Sequence, residues 1–330
     1  MIDDRGVMIE NRDGRFYSRL WRRYPDANQE IGGPRGLPRT TLPQPPDHRS
    51  SILKTVQDII TATAGYLGKH GVESPRLNAE LLLAHVLGKK RIDLYLEFDR
   101  PLGDSELNPM RDLMKRRATG EPLQHLLGTV EFHGRSFLCD PRALIPRQET
   151  EQLVELLLAL PAKPARVLDA GVGSGVIALT LAAEWPEVEV DAIDIAPAAL
   201  ALAAENATRL GLAERVHFLE SDLFSAVPGQ YGLIVANLPY VPAGEMPALS
   251  REVRADPVSA LDGGPDGCDV IRAFLDLARS HLFPGGTVAL EIGAGQSEML
   301  VEHLRLLGYN DIRSTADYAG INRFLFATHG

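Results

Sequence analysis

Between residues 167 and 307 short apolar runs alternate with helical patterns, and this alternation constrains the fold more than any other feature of the chain. Val167-Leu168, Val188 to Ile193, Val216 to Leu219, Leu233 to Ala236 and Val288 to Ile292 read as strands. Val176 to Ala183, Ala198 to Leu210, Val270 to Leu282 and Met299 to Leu307 read as helices. That order specifies an α/β fold with a parallel sheet and helices on both faces. Asp311-Ile312-Arg313 and Phe324-Leu325-Phe326, on either side of Tyr318-Ala319-Gly320, predict a closing antiparallel pair and bring the mostly parallel sheet to seven strands.

Upstream of the alternation the pattern differs. Residues 1–50 carry Arg22, Arg23, Arg35, Arg39 and Arg49 beside five prolines from Pro34 to Pro46, with little apolar periodicity, and read as a flexible extension. From Ile52 a helical stripe begins with Leu53, Val56, Ile59, Ile60 and Leu67. A second helix is expected to start with Ser74 as cap and Pro75 in its first turn and to stop at Gly88; a third runs through Met110, Leu113 and Met114 to Gly120. Residues 51–128 are therefore expected to form a small all-α bundle. Residues 129–146 follow as an extended, hairpin-like connector around Gly134, and residues 147–330 as the α/β domain.

A chain of 330 residues suits two domains. The formal charge of −10 argues against a protein whose main task is to neutralise phosphates, so no direct nucleic-acid substrate is expected. No run approaches the roughly 20 apolar residues that span a bilayer, and Met1-Ile2-Asp3-Asp4-Arg5 lacks the order of a secretory signal. The expected location is the cytoplasm, without a membrane partner. Cys139 and Cys268 belong to no Cys/His cluster, so neither a disulfide nor a metal is expected.

The first strand of the alternation ends at Asp169 and runs into Gly171-Val172-Gly173-Ser174-Gly175. Glycines there allow a sharp turn and close approach of a ligand. The dinucleotide fingerprint places its third glycine three residues after the second, where Val176 stands; here it comes two residues after. The Asp169-x-Gly-x-Gly-x-Gly form resembles methyltransferases of the Rossmann-like class. Nineteen residues beyond Gly175 the second strand ends at Asp194, whose carboxylate can accept both ribose hydroxyls of a nucleoside cofactor. After the third strand Asp222 can reach the adenine, with Leu223 packed on the ring. The implied cofactor is S-adenosyl-L-methionine.

The fourth strand ends in Asn237-Leu238-Pro239-Tyr240. Methyltransferases that act on planar amide or amine nitrogens place a motif of the form Asn-Pro-Pro-Tyr here. An amide nitrogen is a poor nucleophile because its lone pair is delocalised, so a site must orient it by accepting its N–H bonds. The Asn237 side-chain oxygen and the Leu238 carbonyl can accept one each, with the methyl donor beside Asn237, while Tyr240 packs on the flat amide. Together with Asn78 to His85, Gly120 to Gly128, Leu144 to Glu151, Ala260 to Gly267 and Leu290 to Gly293, these residues make the chain resemble the release factor glutamine methyltransferases, the PrmC/HemK family. The resemblance spans roughly residues 52–328. It implies that the helical domain helps to hold a class 1 peptide chain release factor while the catalytic domain binds its Gly-Gly-Gln loop, and that the enzyme works as a monomer. Two departures stand out: Gln148 replaces a proline, and Leu238 replaces the first proline of the motif, giving the form found in ribosomal RNA adenine N6-methyltransferases. That class is disfavoured by the acidic charge. A ribosomal-protein glutamine methyltransferase is the nearest alternative, and the connector and helical phrases favour the release factor.

Overall fold

The start of the first helix shows how local chemistry sets the boundaries. Residues 54–330 are described by the computed structural model; the extension expected over residues 1–50, and Ile52 and Leu53 with it, lie outside the described residues. Helix α1 covers Val56–Lys69. The Thr55 and Asp58 side chains each accept the other's backbone N–H, at 3.2 and 3.0 Å, a reciprocal cap that places the start at Val56. Helix α2, Pro75–Leu87, has its proline in the first turn and stops at Gly88 in the left-handed conformation, as expected. Ser74 does not cap it through the hydroxyl, however. Its backbone is left-handed, with φ of 45°, where a capping residue needs extended geometry, and the Asn78 amide instead donates to the Ser74 and Glu73 carbonyls. Helices α3, Arg91–Leu96, α4, Asp104–Ala118, and α5, Leu123–Leu127, complete this region around a core that includes Ile60, Leu67, Leu82, Leu83 and Met110. Two of them, α3 and α5, are six and five residues long, too short for a helical period to register in the sequence.

Strands β1, Thr129–Phe132, and β2, Arg135–Leu138, form the expected hairpin. His133 and Gly134 both have positive φ at its tip, which is what a two-residue turn matching the strand twist requires. Helix α6, Gln148–Leu158, goes beyond what the sequence pattern announces; it buries Leu153, Val154 and Leu157 against the sheet region.

The main sheet contains β3, Arg166–Ala170, β4, Glu189–Asp194, β5, Val216–Glu220, β6, Tyr231–Asn237, β7, Leu282–Glu291, β8, Tyr309–Ala316, and β9, Asn322–His329. Their spatial order is β5-β4-β3-β6-β7-β9-β8, parallel except for β9, which runs antiparallel to both neighbours. Helices α7, Val176–Glu184, α8, Pro197–Arg209, α9, Asp269–Ala278, and α10, Ser297–Leu306, cross between strands. The seven-stranded, mostly parallel sheet is the one the alternation specified. Two apolar cores form, one around Leu153, Leu179 and Val235 and the other around Phe274, Ile234 and Leu304. Among the described residues no helix is long and apolar enough to cross a membrane.

The segment between β6 and α9 is fixed by charge. Arg117 on α4 is 3% exposed; it donates to the Asn78 side chain at 2.7 Å and the Glu121 carbonyl at 3.0 Å, and pairs with Glu252. Buried Asp256 accepts the Ile145 N–H at 3.0 Å and the Arg147 guanidinium at 2.6 Å. The loop that follows the Asn-Leu-Pro-Tyr turn is thus tied to the helical region on one side and the connector on the other.

Candidate functional site

Successive strands are added outward from β3 in one direction and from β6 in the other, and such a switch opens a crevice at the carboxyl ends of the strands. A cleft of about 510 Å³ lies there, a size suited to a nucleoside with an attached amino acid. Gly171, Val172, Gly173 and Ser174 line it after β3, Asp194 after β4, Asp222 and Leu223 after β5, and Asn237, Leu238 and Pro239 after β6. Two of the expected site residues are not in its wall. Gly175 opens α7 at φ of 88°, where a Cβ would stand 2.9 Å from Leu179 and 3.3 Å from Ala203; its smallness lets α7 pack against α8. Tyr240 packs on the core beside α9 and α10, and its carbonyl accepts the Gln296 amide at 2.8 Å. Burial pushes its phenol up to about 12, so it stays neutral.

The glycine loop is shaped by its own hydrogen bonds. The Gly171 and Val172 N–H groups donate to the Ile193 carbonyl at 2.9 and 2.8 Å, and the Gly173 N–H donates to the Asp194 carboxylate at 3.0 Å. Three donors that a phosphate-binding loop would aim at its ligand are therefore engaged internally. The loop suits a nucleoside cofactor without phosphate, and Gly171 and Gly173 hold positive φ angles of 76° and 55° that keep side chains out of the cleft. Beneath it Asp169 is fully buried. One of its oxygens accepts the Ala178 N–H at 2.9 Å and the other has no partner among the described residues, so burial lifts the carboxyl to about 7.

Asp194 also accepts the Ala196 N–H at 2.9 Å. A carboxylate with about four acceptor sites still has room for two ribose hydroxyls. Asp194→Ala is expected to weaken cofactor binding at least about tenfold, because charge-assisted hydrogen bonds of roughly 1.5–3 kcal/mol each are at risk and the Gly173 N–H loses its anchor. Titration calorimetry reads this, and unchanged affinity would remove Asp194 from the site. After β5 the Ser221 hydroxyl donates to the Leu223 carbonyl at 2.7 Å and accepts the Ala226 N–H at 3.0 Å. This tight turn holds Leu223 at φ of 47° and presents Asp222 beside it at the cleft.

At the end of β6 Asn237 lies in register with Glu291 at the end of β7. The Asn237 Nδ2 donates to the Thr150 hydroxyl at 3.1 Å, and that hydroxyl donates to the Glu291 carboxylate at 2.7 Å. Glu291 is 1% exposed, one of its oxygens has no close partner among the described residues, and burial pushes it up to about 7 against the hydrogen bonds of Thr150 and Asn237. Sequence reading missed both residues as parts of the site, although each stands inside a phrase that carried the family resemblance. Leu238 is buried and its side chain packs toward Gly171, where a Cβ would come within 3.1 Å of its Cδ2, so the turn and the cofactor loop touch.

Behind the turn lies the Ala260 to Gly267 phrase. The Val241 N–H donates to the Leu261 carbonyl and the Gly263 N–H to the Val241 carbonyl, both at 2.9 Å. A Cβ on Gly263 would meet the Gly267 carbonyl oxygen at 2.5 Å and the Pro239 carbonyl oxygen at 2.8 Å. Its role is close backbone contact with the turn.

Comparison with known proteins agrees with this geometry. Residues 58–128 match the family described as PrmC N-terminal domain, and residues 148–264 match the Methyltransferase small domain. A release factor glutamine methyltransferase of Geobacter sulfurreducens is 44% identical over 82% of this chain and 95% of its own length. The Escherichia coli protein of that name is 40% identical over 76% of this chain and 91% of its own. Among solved structures the hMettl16 catalytic domain, bound to an RNA hairpin, superposes with a TM-score of 0.51 at 16% identity, covering 66% of this chain and 81% of that one; this likeness concerns the fold alone. With two family matches that together span the helical region and the cofactor cleft, and relatives aligned over most of both chains, the protein belongs to the release factor glutamine methyltransferase family.

Proposed function

We propose that the protein transfers a methyl group from S-adenosyl-L-methionine to the side-chain amide nitrogen, N5, of the glutamine in the Gly-Gly-Gln loop of class 1 release factors, acting as a monomer in the cytoplasm. Residues 51–128 serve as the recognition domain, 129–146 as the connector and 147–330 as the methyltransferase domain. The observation that carries this reading is the state of Asn237. It lines the cleft next to the glycine-loop wall, its nitrogen is engaged by Thr150, and its side-chain oxygen has no partner among the described residues.

Gly171 to Ser174, Asp194, Asp222 and Leu223 would hold the cofactor, which supplies a methyl group on a positively charged sulfur. The Asn237 oxygen and the Leu238 carbonyl each accept one N–H of the substrate amide, fixing the plane of the amide and directing its nitrogen toward the methyl group. As the new bond forms the amide nitrogen becomes acidic, and its proton passes to water or to an adjacent carbonyl. Tyr240 supports the turn from behind through its carbonyl bond to Gln296, and Pro239 restrains Leu238.

Incubation with labelled cofactor, a release factor, ribosomal protein and ribosomal RNA, followed by mass spectrometry, tests the reading. The label is expected on the glutamine of the Gly-Gly-Gln loop. Label confined to a ribosomal protein or to adenine in the RNA would overturn it.

A further inference from the structure

The hydrogen-bond chain that ends on Asn237 has a direction. A threonine hydroxyl carries one proton. Thr150 gives it to the Glu291 carboxylate, which can only accept while ionised, and so must accept from Asn237 on its other side. An asparagine side chain presents nearly the same shape in its two flipped states, and only its partners decide which end is nitrogen. With the nitrogen drawn to Thr150, the oxygen is left for the cleft. All three groups are held by different elements: Asn237 by β6, Glu291 by the neighbouring β7, and Thr150 by the first turn of α6. Thr150 is 3% and Glu291 1% exposed, so water does not compete for these bonds.

We propose that Thr150 and Glu291 are positioning residues which, through this one-way hydrogen-bond chain, hold the Asn237 side-chain oxygen toward the methyl-acceptor amide. The inference rests on the reading of Asn237 as an amide acceptor given above. A polar pair as deeply buried as Thr150 and Glu291 has a cost, and a fixed orientation of Asn237 is the function that offsets it.

The chain is reversible by protonation. A protonated Glu291 can donate to Thr150, which then donates in turn and draws the Asn237 oxygen away from the cleft. Glu291 is faced by Glu149 on α6, which opposes its ionisation, by Arg323 on β9 and the Asn237 amide on β6, which favour it, and by Tyr240 after β6, whose phenol is neutral; the Asn237 nitrogen is thus drawn to the carboxylate directly as well as through Thr150. With the carboxyl raised to about 7, the productive orientation grows in as pH rises through that value. Neither the substrate amide nor a sulfonium methyl group titrates there.

The test uses the full chain and a Gly-Gly-Gln peptide. Thr150→Val, which keeps the shape and removes the hydroxyl, is expected to lower kcat about tenfold, the worth of one net hydrogen bond, with cofactor affinity by calorimetry close to the parent and a melting temperature lowered by a few degrees because the buried Glu291 carboxyl loses a partner. Thr150→Ser should restore the rate. At saturating cofactor the parent kcat should rise with pH through a limb near 7, and Glu291→Gln should abolish the limb. In the cofactor-free protein the Asn237 side-chain amide resonance should shift over the same pH range in the parent and not in Glu291→Gln. A parent that methylates the glutamine while Thr150→Val matches its kcat, or a limb and resonance shift that survive in Glu291→Gln, would overturn the inference. A parent that does not methylate the glutamine would instead overturn the function on which it rests.

Discussion

Asn237→Ala is expected to slow methylation of a Gly-Gly-Gln peptide by about 10²–10³, with cofactor affinity changed by no more than a few-fold. In the proposed mechanism residue 237 holds the amide through its side-chain oxygen, and losing it would free the amide to rotate away from the methyl group. The cofactor wall is built elsewhere, from the Gly171 to Ser174 loop, Asp194 and the turn after β5, all of which keep their bonds in the variant. Single-turnover methylation separates the chemical step from binding, and a rate equal to the parent's would discard the amide-orienting mechanism. Leu238→Pro makes a useful contrast. The acceptor there is a backbone carbonyl that proline also supplies, while the leucine side chain fills space against Gly171. Its rate should fall by no more than about tenfold, through looser packing of turn on loop.

The two buried carboxylates under the cleft act on stability in a way opposite to the acids on the surface. Asp169 and Glu291 are both raised to about 7 in the folded protein, from reference values of 3.8 and 4.5. A carboxyl whose folded value lies above its unfolded one binds more protons when folded. The stability it contributes is complete below the unfolded value and disappears as pH rises through the folded one. Surface acids such as Asp266, which hydrogen bonds from Arg272 hold below the usual range, lose their contribution in the reverse direction, as pH falls. The two carboxyls therefore lower the stability of the folded state near neutral pH, because the hydrogen bonds they accept offset only part of the cost of ionising them where they are buried.

The alternation of strands and helices, the glycine loop and the Asn-Leu-Pro-Tyr turn are legible in the sequence because each is local: a period, a spacing or a contiguous phrase. Thr150 and Glu291 are not, since their pairing joins residues 141 positions apart through a register that no single segment encodes. The same holds for Arg117, whose bonds to Asn78 and Glu252 tie α4 to α2 and to the loop after β6. Tyr240 is half-buried against the core, and the groups that surround its phenol, Glu291, Arg323, Arg147 and Glu149, come from distant elements that the motif does not encode. Gly175 belongs to the ligand loop by spacing, and its φ of 88° together with Leu179 on α7 and Ala203 on α8 close by leaves no place for a Cβ. Ser74 has a capping residue's identity but not its backbone conformation: its φ of 45° is left-handed, and its hydroxyl makes no bond to the first turn.

Gly263→Ala is expected to destabilise the protein by about 3 kcal/mol and to remove most methyl transfer, although residue 263 touches neither cofactor nor substrate in the proposed mechanism. The added Cβ would face three backbone atoms, the Gly267 carbonyl oxygen at 2.5 Å, the Gly267 carbonyl carbon at 2.8 Å and the Pro239 carbonyl oxygen at 2.8 Å. No rotamer change relieves a clash with main chain, so one of the two segments has to move. Gly267 is pinned by its carbonyl bond to Gln296, and Gly263 by donating to Val241 and accepting from Asp269. The segment left to yield is Pro239, and a shift there displaces the Leu238 carbonyl and the Asn237 side chain from the positions that align the amide. Gly244 supplies the control. It lies in the same loop, a Cβ added to it would have no heavy atom within 4 Å, and its φ is not positive, so Gly244→Ala should leave both denaturant midpoint and rate at the parent values. Comparison of the two variants by urea unfolding and by single-turnover methylation isolates the contact from the general effect of losing a glycine. Equal behaviour of the pair would show that the phrase around Gly263 does not brace the turn.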